Sequence, residues 1–372
     1  MQTTNKFVPG LDGVVASETA ISLLDTKEEK IIIRGYELIE LSRENDFLDM
    51  VHLLLENSLP TAEEKEKLDK KLKDNYGLPK EIYDILKLLP KDTHPMDGLR
   101  TGLSSLGGFD KDLLDFSTEV NKDRAYDLLA KLPALIVNSY HILNGDEPIE
   151  PRQDLSYGAN FLYMVTGRVP SKLEEEIFDR ALLLYSEHEM PNSTFTARVI
   201  ASTMSDLYGA LTGAVASLKG YLHGGANEAV MHDLLKADSA SEFEELIMNK
   251  LRNKEKVMGF GHRVYMKKMD PRALVMKDAL KQLCEAKGDY KLLEMCEAGE
   301  KVMEREIGIY PNLDYYVAPC YWLLDIPIPL YTPIFYGSRA SGLTAHVIEQ
   351  HDNNRLFRPR VKYTGEQYSP IK

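Results

Sequence analysis

Hydrophobic side chains recur at helical spacing along almost the whole chain after Gly35, and this periodicity restricts the fold more than any other feature. In segment 47–55 the apolar residues fall on one helical stripe, and an Asn-Asp pair precedes it as a cap. Before Gly35 the pattern differs, because two β-prone runs, 14–24 and 30–34, flank a polar stretch and predict a small hairpin. The sequence therefore predicts an all-α, multihelical fold with a minor N-terminal β-hairpin.

Prolines, glycines and capping boxes divide the periodic region into separate helices. Thr61 with Glu64 and Ser171 with Glu174 have the spacing of a capping box, so each pair predicts the start of a helix. We expect the first of these helices to close at Gly77.

The longer helical segments differ in composition. Segment 123–143 predicts one long helix with a kink at Pro133. Segment 194–218 is rich in Ala, Ser, Thr and Gly, which let another helix approach closely, so it predicts a buried central helix. The stretch 94–102, HPMDGLRTG, predicts a loop that enters a further helix.

Length and charge set broad limits on the function. A chain of 372 residues can form two domains, and we predict a large helical domain from residues 1–220 and 323–372 with a smaller one, 221–322, inserted between them. The net charge of −13 argues against a nucleic acid or an anionic membrane as partner. An anionic ligand would therefore need a local basic pocket.

The three cysteines indicate the compartment. Cys284, Cys296 and Cys320 are odd in number and are spaced neither for a disulfide framework nor for a zinc site. No apolar run is long enough to span a membrane, and the first residues lack the apolar core of a secretion signal. These features predict a cytoplasmic protein.

Three segments combine an ionisable residue with residues that break regular structure. They are GFGHRVYMKKMDPR (259–272), LHGGANE (222–228) and PNLDYY (311–316). The first also carries two arginines, Arg263 and Arg272. Two imidazoles, a carboxylate and arginines are suited to proton transfer beside an anionic substrate.

Each candidate has a structural alternative. Asp314 lies among apolar and aromatic neighbours, which would raise its proton affinity and make it a better base, but Asp after Pro-Asn is also good capping chemistry. His223 precedes two glycines, and a helix N-terminus there would keep its ring neutral. His262 follows the glycine-bracketed Phe260. Either histidine could instead be a hydrogen-bonded structural residue.

The remaining histidines and arginines do not point to a metal. His188 has no second histidine four residues on, and His346 and His351 are spaced too far apart for one helical face. Arg339 and Arg358 could each bind a carboxylate through a planar fork, although a solvated surface charge is the commoner state of an arginine. We expect no metal site.

Taken together and in order, the motifs LHGGANE, GFGHRVY with DPR, PNLDYY, SRASG and RLFRPR resemble the citrate synthase family. The resemblance runs from Gly10 to the basic C-terminal segment, and the chain looks like the short form of the enzyme. The stretch THPMDGLRTG is more similar to the 2-methylcitrate synthase branch than to the acetyl-specific one. The resemblance implies a two-domain, all-α homodimer with its active site in the cleft between the domains.

The resemblance also implies a role for each matching residue. Asp314 would remove the α-proton of an acyl-CoA, His223 would donate a hydrogen bond to the thioester oxygen, and His262 would polarise the ketone of oxaloacetate. The residues implied to hold oxaloacetate are His188, Arg272, Arg339 and, from the partner subunit, Arg358. The loop implied to embrace CoA consists of Lys256, Val257, Met258, Gly259 and Phe260.

The implied reaction joins propionyl-CoA, oxaloacetate and water into 2-methylcitrate and CoA, with acetyl-CoA as a second substrate giving citrate. No metal or redox cofactor is needed, because CoA enters as a substrate. The alternative is a citrate synthase that prefers acetyl-CoA.

A lyase that cleaves citryl-CoA-type thioesters would need ATP-dependent activation, and the sequence has no P-loop. A helical scaffold without catalysis would have no need for Asp314, His223 and His262 together.

Overall fold

The computed structural model describes residues 7–220, 222–262, 265 and 268–366. These residues are predominantly helical, with one small antiparallel sheet near the N-terminus. The strands are β1 (Ser22–Asp25), β2 (Lys30–Ile33) and β3 (Tyr36–Glu37). The helices are α1 (Leu38–Glu44), α2 (Phe47–Glu56), α3 (Ala62–Lys73), α4 (Lys80–Lys87), α5 (Pro95–Leu106), α6 (Thr118–Asn144), α7 (Tyr157–Thr166), α8 (Lys172–Tyr185), α9 (Asn192–Ala201), α10 (Leu207–Leu218), α11 (Ala226–Leu234), α12 (Ala240–Arg252), α13 (Pro271–Lys287), α14 (Lys291–Ile307), α15 (Leu313–Leu323) and α16 (Tyr331–Asp352).

The predicted hairpin is confirmed, but its first strand is shorter than expected. Strands β1 and β2 pair antiparallel with Ser22 opposite Ile33, and β3 adds a third strand beside β2. The β-prone residues before β1 form no strand, and most of 14–20 is exposed. Ile31 and Ile33 are buried, so one face of the sheet joins the helical core.

The buried central helix is α16 rather than the predicted segment 194–218. Nearly every residue of α16 is buried, and it packs on α2, α6, α8, α9 and α10. Segment 194–218 instead forms α9 and α10, separated by a turn in which Met204 has a φ of 61°. Its small residues still allow close approach, because a Cβ on Gly213 of α10 would collide with Ile200 of α9.

The predicted helix boundaries are mostly confirmed. Thr61 and Ser171 form the expected capping boxes of α3 and α8. The prediction that Gly77 closes α3 is wrong, because α3 ends at Lys73. The loop predicted at 94–102 is also wrong, since His94 caps α5 and the helix begins at the following proline. Pro133 lies inside the single long helix α6, as expected.

Helices α11 to α15 pack largely on one another. Helix α12 lies against α14, and α11 and α13 both lie against α15. Helix α13 also contacts α1 and α8, and α11 contacts α16. These contacts bring the motif-bearing segments to the ends of α8 and α16, while the division into domains at 220 and 322 stays a prediction. In the described part of the chain, no helix combines the length and the apolar composition that a membrane span requires.

Candidate active site

Backbone hydrogen bonds join two of the three motifs, although about fifty residues separate them. The amide of Asn312 donates to the carbonyl of Gly259 at 2.9 Å. The Asn312 side chain donates to the carbonyl of Gly261 at 3.1 Å. This pairing fixes His262, the next residue after Gly261, relative to Asp314 at the start of α15.

The two glycines are required by the path of this loop. Gly259 and Gly261 have φ values of 81° and 82°, in the left-handed region that disfavours side chains. A Cβ on Gly259 would also lie 2.6 Å from a methyl carbon of Val230. Phe260 between them stacks on Tyr315, with ring centroids 4.4 Å apart. The expected tight turn is therefore confirmed.

Asp314 occupies the first turn of α15 but is not its cap. Asn312 caps the helix and accepts a hydrogen bond from the Asp314 amide at 3.1 Å, so the capping alternative for Asp314 is wrong. The Asp314 carboxylate instead accepts a hydrogen bond from the hydroxyl of Tyr185 at 2.6 Å. Burial raises the pKa of Asp314, against the opposing effects of this hydrogen bond and of the Arg272 charge. The direction agrees with the expectation of a stronger base.

His262 lies between Arg272 and His188. The Arg272 guanidinium approaches Nε2 of His262 at 3.4 Å, and the His188 and His262 rings meet edge to face with centroids 5.0 Å apart. Burial, assisted by the Arg272 charge, lowers the pKa of His262 to about 4. The imidazole is therefore neutral at physiological pH.

His188 sits in the connection between α8 and α9, next to Glu189, whose φ is 61°. Its Nε2 atom is buried and has no hydrogen-bond partner among the described residues. Burial and then the nearby Arg272 charge hold the pKa of His188 well below its usual value. A buried ring nitrogen without a partner is costly, so this position suits a ligand that supplies one.

Two buried arginines complete the cluster. Arg272, in the first turn of α13, makes an ion pair with Asp270 at 2.7 Å. Arg339, in the middle of α16, donates from Nε to the carbonyl of Tyr185 at 2.6 Å and covers the ring of Phe335. Burial lowers the pKa of Arg339 to about 10, so its guanidinium remains charged at neutral pH. The cluster thus concentrates positive charge within an acidic protein.

His223 faces a helix N-terminus, but not the one expected. Helix α11 begins at Ala226, while the His223 ring contacts the first turn of α9, where the amide of Ser193 donates to Nε2 at 3.1 Å. An amide can only donate, so Nε2 is the acceptor and the proton of the neutral ring lies on Nδ1. Burial and then the Arg339 charge lower the pKa of His223 to about 4. His223 is therefore a neutral donor through Nδ1.

The remaining candidates lie farther from this cluster. Arg358 is exposed in the segment after α16. In the predicted CoA loop, Lys256 is exposed and Val257 and Phe260 are buried. Arg263 lies outside the described residues.

The sequence did not single out three residues that shape the site. Tyr185 binds Asp314, Ser193 orients His223, and Asp270 pairs with Arg272. Asp270 is close in sequence to Arg272, and Ser193 to His188, so their proximity to candidates was a usable signal. Tyr185 is also only three residues from His188, but nothing local distinguishes it from a core tyrosine.

The assembled groups can perform one kind of chemistry well. The charges of Arg272 and Arg339 act on the buried Asp314 carboxylate, and the same two arginines act on the neutral imidazoles of His262 and His223 respectively. A carboxylate can abstract a weakly acidic proton if preorganised donors stabilise the oxyanion that develops. The arginines would hold a dianion beside it.

Known proteins resemble the chain over its full length. The family model described as citrate synthase, C-terminal domain, matches residues 10–360. Citrate/2-methylcitrate synthase of Bacillus subtilis (strain 168) is 66% identical over 368 residues, 99% of each chain. Citrate synthase of Heyndrickxia coagulans is 64% identical over 365 residues, 98% of each chain.

A solved structure supports the same assignment. The ternary complex of citrate synthase from the thermophilic archaeon Thermoplasma acidophilum with carboxymethyl coenzyme A and oxaloacetate superimposes with a TM-score of 0.91. It is 30% identical, and the match covers 98% of this chain and 99% of that one. The predicted fold class is therefore confirmed, and the chain belongs to the citrate synthase family.

Proposed function

We propose that the protein condenses propionyl-CoA with oxaloacetate and water to give 2-methylcitrate and CoA, and that it also converts acetyl-CoA to citrate. The observation that carries the proposal is the convergence of Asp314, His188, His262, Arg272 and Arg339 on one cluster. The name of the Bacillus subtilis relative, citrate/2-methylcitrate synthase, supports the choice of both products.

Asp314 and His223 act on the acyl-CoA. Asp314 takes the α-proton while Nδ1–H of His223 donates to the thioester oxygen, so the electron pair of the C–H bond ends on an oxygen that is already hydrogen-bonded. A preorganised donor of this kind stabilises the transition state by about 3–4 kcal/mol. The enolate carbon then attacks the ketone of oxaloacetate, and water cleaves the thioester to release CoA.

Oxaloacetate binds beside them, held by its two carboxylates and its ketone. His262 polarises the ketone, while Arg272, Arg339 and His188 hold the carboxylates and the carbonyl. The archaeal citrate synthase of the same fold was solved in complex with oxaloacetate, which supports this ligand. Arg358, exposed in the single chain, reaches the oxaloacetate from the partner subunit of a homodimer.

The loop 256–260 binds CoA, since it leads directly into His262 and carries the exposed Lys256. The same archaeal complex contains carboxymethyl coenzyme A, which supports a CoA site in this fold. The reaction transfers no electrons and its oxyanion is stabilised by hydrogen bonds, so it needs no metal or cofactor. We place the enzyme in the cytoplasm, where both substrates are available.

The central test replaces the proposed base. Asp314→Ala should abolish CoA release from propionyl-CoA and oxaloacetate while oxaloacetate still binds, because the arginines and histidines remain. CoA release is followed with a thiol reagent, and oxaloacetate binding by calorimetry. Turnover close to that of the unaltered protein would remove Asp314 from the mechanism.

A second candidate is a citrate synthase that prefers acetyl-CoA, and the name of the Heyndrickxia coagulans relative favours it. A hydrophobic pocket discriminates one methylene by only about 10- to 200-fold, and a pocket that accepts propionyl-CoA cannot exclude acetyl-CoA. Comparing kcat/KM for the two thioesters separates the candidates. A ratio in favour of propionyl-CoA supports 2-methylcitrate as the main product, and a strong acetyl preference overturns it.

A further inference from the structure

We infer that Tyr185 is a positioning residue for the reaction: its hydroxyl holds Oδ1 of Asp314 and leaves Oδ2 as the oxygen that accepts the α-proton. The inference rests on the proposed function, because it assigns a partner to the proposed base. It adds a residue from α8, outside the motifs that carried the family resemblance.

Tyr185 is held at three points. It is the last residue of α8, and its side chain is 2% exposed. Its ring lies against Phe335, with centroids 4.4 Å apart, and its carbonyl accepts the hydrogen bond from Nε of Arg339 at 2.6 Å. The hydroxyl therefore reaches Oδ1 of Asp314 from a fixed direction, at 2.6 Å.

The two oxygens of the Asp314 carboxylate are consequently not equivalent. Oδ1 accepts from Tyr185, whereas Oδ2 accepts no hydrogen bond from the described residues. A proton moving from the α-carbon forms a new O–H bond at Oδ2 as the C–H bond breaks, and the electron pair passes to the enolate. Oδ1, then the carbonyl oxygen of the acid, can keep its hydrogen bond throughout, so no rearrangement accompanies the transfer.

Tyr185 also decides at which pH the base is available. Burial raises the pKa of Asp314, and the hydrogen bond from Tyr185 opposes this rise. Burial keeps the pKa of Tyr185 itself well above its usual value, so the phenol retains the proton that it donates to Asp314. Without this donor the carboxylate would be protonated at a higher pH and the base would be lost earlier on acidification.

The test is the pH dependence of kcat/KM for the acyl-CoA at saturating oxaloacetate in Tyr185→Phe, which keeps the ring and removes the hydroxyl. On acidification kcat/KM falls as the base is protonated, and this fall is the acidic limb of the pH profile. Loss of one hydrogen bond to a charged group should move the acidic limb to higher pH by roughly one to two units. The affinity for oxaloacetate should stay within about threefold, since Arg339 binds the carbonyl of this residue and not its side chain.

Tyr126→Phe is the matched control. Tyr126 of α6 donates to a Glu56 carboxylate oxygen of α2 at 2.6 Å, the same pair of groups at the same distance, and neither residue belongs to the cluster. This variant should leave the acidic limb unchanged. Thermal unfolding of both variants reports any general loss of stability.

The outcomes separate the inference from the proposed function. An unaltered protein that releases no CoA from either thioester overturns the proposed function. An active protein whose Tyr185→Phe variant keeps the original acidic limb overturns the inference alone. Equal shifts in both variants would also overturn it, because the shift would then not depend on contact with Asp314.

Discussion

Two buried arginines, Arg339 in α16 and Arg198 in α9, which packs on α16, have very different surroundings. Arg198 is 2% exposed, and all three of its nitrogens have partners: Nε donates to Gln350 at 3.1 Å, Nη1 to Glu349 at 2.7 Å and to His346 at 2.9 Å, and Nη2 to Ser17 at 3.0 Å. A buried charge that is paired and fully hydrogen-bonded belongs to the framework of a protein.

Arg339 is almost as deeply buried, at 3% exposure, but only its Nε donates a hydrogen bond within the described residues. Its charge acts on His188, whose buried Nε2 has no hydrogen-bond partner among the described residues. The difference teaches that burial of charge alone does not mark a site. A buried charge indicates a ligand site when the described residues leave part of its hydrogen-bonding capacity unused.

The two arginines should respond in opposite ways to the same substitution. Arg339→Met should weaken oxaloacetate binding by about 10²- to 10⁴-fold, since two charge-assisted hydrogen bonds to a carboxylate are lost. It should cost little stability, because replacing an incompletely satisfied buried ion by a hydrophobic side chain is often neutral. Calorimetric titration with oxaloacetate and urea unfolding of the same sample measure both effects. Unchanged affinity would show that Arg339 belongs to the framework.

Arg198→Met should do the reverse. It leaves the Glu349 carboxylate and the Ser17 and Gln350 side chains without their partner, so the free energy of unfolding should fall by about 3–5 kcal/mol. Affinity for oxaloacetate, measured well below the unfolding temperature, should change by less than about threefold. A variant as stable as the unaltered protein would contradict the assignment of Arg198 to the framework.

Two histidines extend the comparison. Both nitrogens of His346 are engaged, since Nδ1 accepts from Arg198 at 2.9 Å and Nε2 lies 3.1 Å from the Glu187 carboxylate. Within the described part of the chain, His223 uses only Nε2 for a contact with another residue, accepting from the Ser193 amide at 3.1 Å. His223→Gln should lower kcat by about 10²- to 10³-fold, the effect of removing an oxyanion donor. His346→Gln should instead lower the free energy of unfolding. Equal losses of kcat in the two variants would contradict the distinction between a catalytic and a framework histidine.

The sequence predicted those parts of the site that local chemistry reveals. His262 and Asp314 could be found because each stands beside glycine or Pro-Asn, residues that interrupt helices for reasons readable from a few neighbours. Tyr185 could not, because its role comes from contact between the end of α8 and the start of α15, 129 residues apart in sequence. The Arg198 network was missed for the same reason, since its partners come from 17–18 and 346–350.

The fold shows the same division between local and distant causes. Capping boxes at Thr61 and Ser171 predicted helix starts correctly, because the motif contains its own partners. Composition alone predicted a single helix for segment 194–218. It could not reveal the break at Met204, because methionine has no preference for the left-handed conformation that it adopts there. The packing of all the helices together decides which small-residue segment becomes the central helix, and that helix is α16.

The pH dependence of stability gives the smallest effect and tests the electrostatic side of the comparison. Burial lowers the pKa of His223 and of His262 from 6.5 to about 4. Between these values the unfolded chain binds protons that the folded chain does not, so both groups make stability fall as the pH drops from 6.5 towards 4. Their contribution is complete above pH 6.5 and lost through this window.

His262→Asn, which cannot titrate, isolates this contribution. Urea unfolding of the unaltered protein and of the variant is compared at neutral pH and at successive steps towards pH 4. The free energy of unfolding should fall less steeply with acidification in the variant, because one of the buried neutral imidazoles is gone. Asp314, whose pKa burial raises, acts in the opposite direction and is common to both proteins, so it cancels in the difference. Identical slopes would mean that His262 is as readily protonated in the folded cluster as in the unfolded chain.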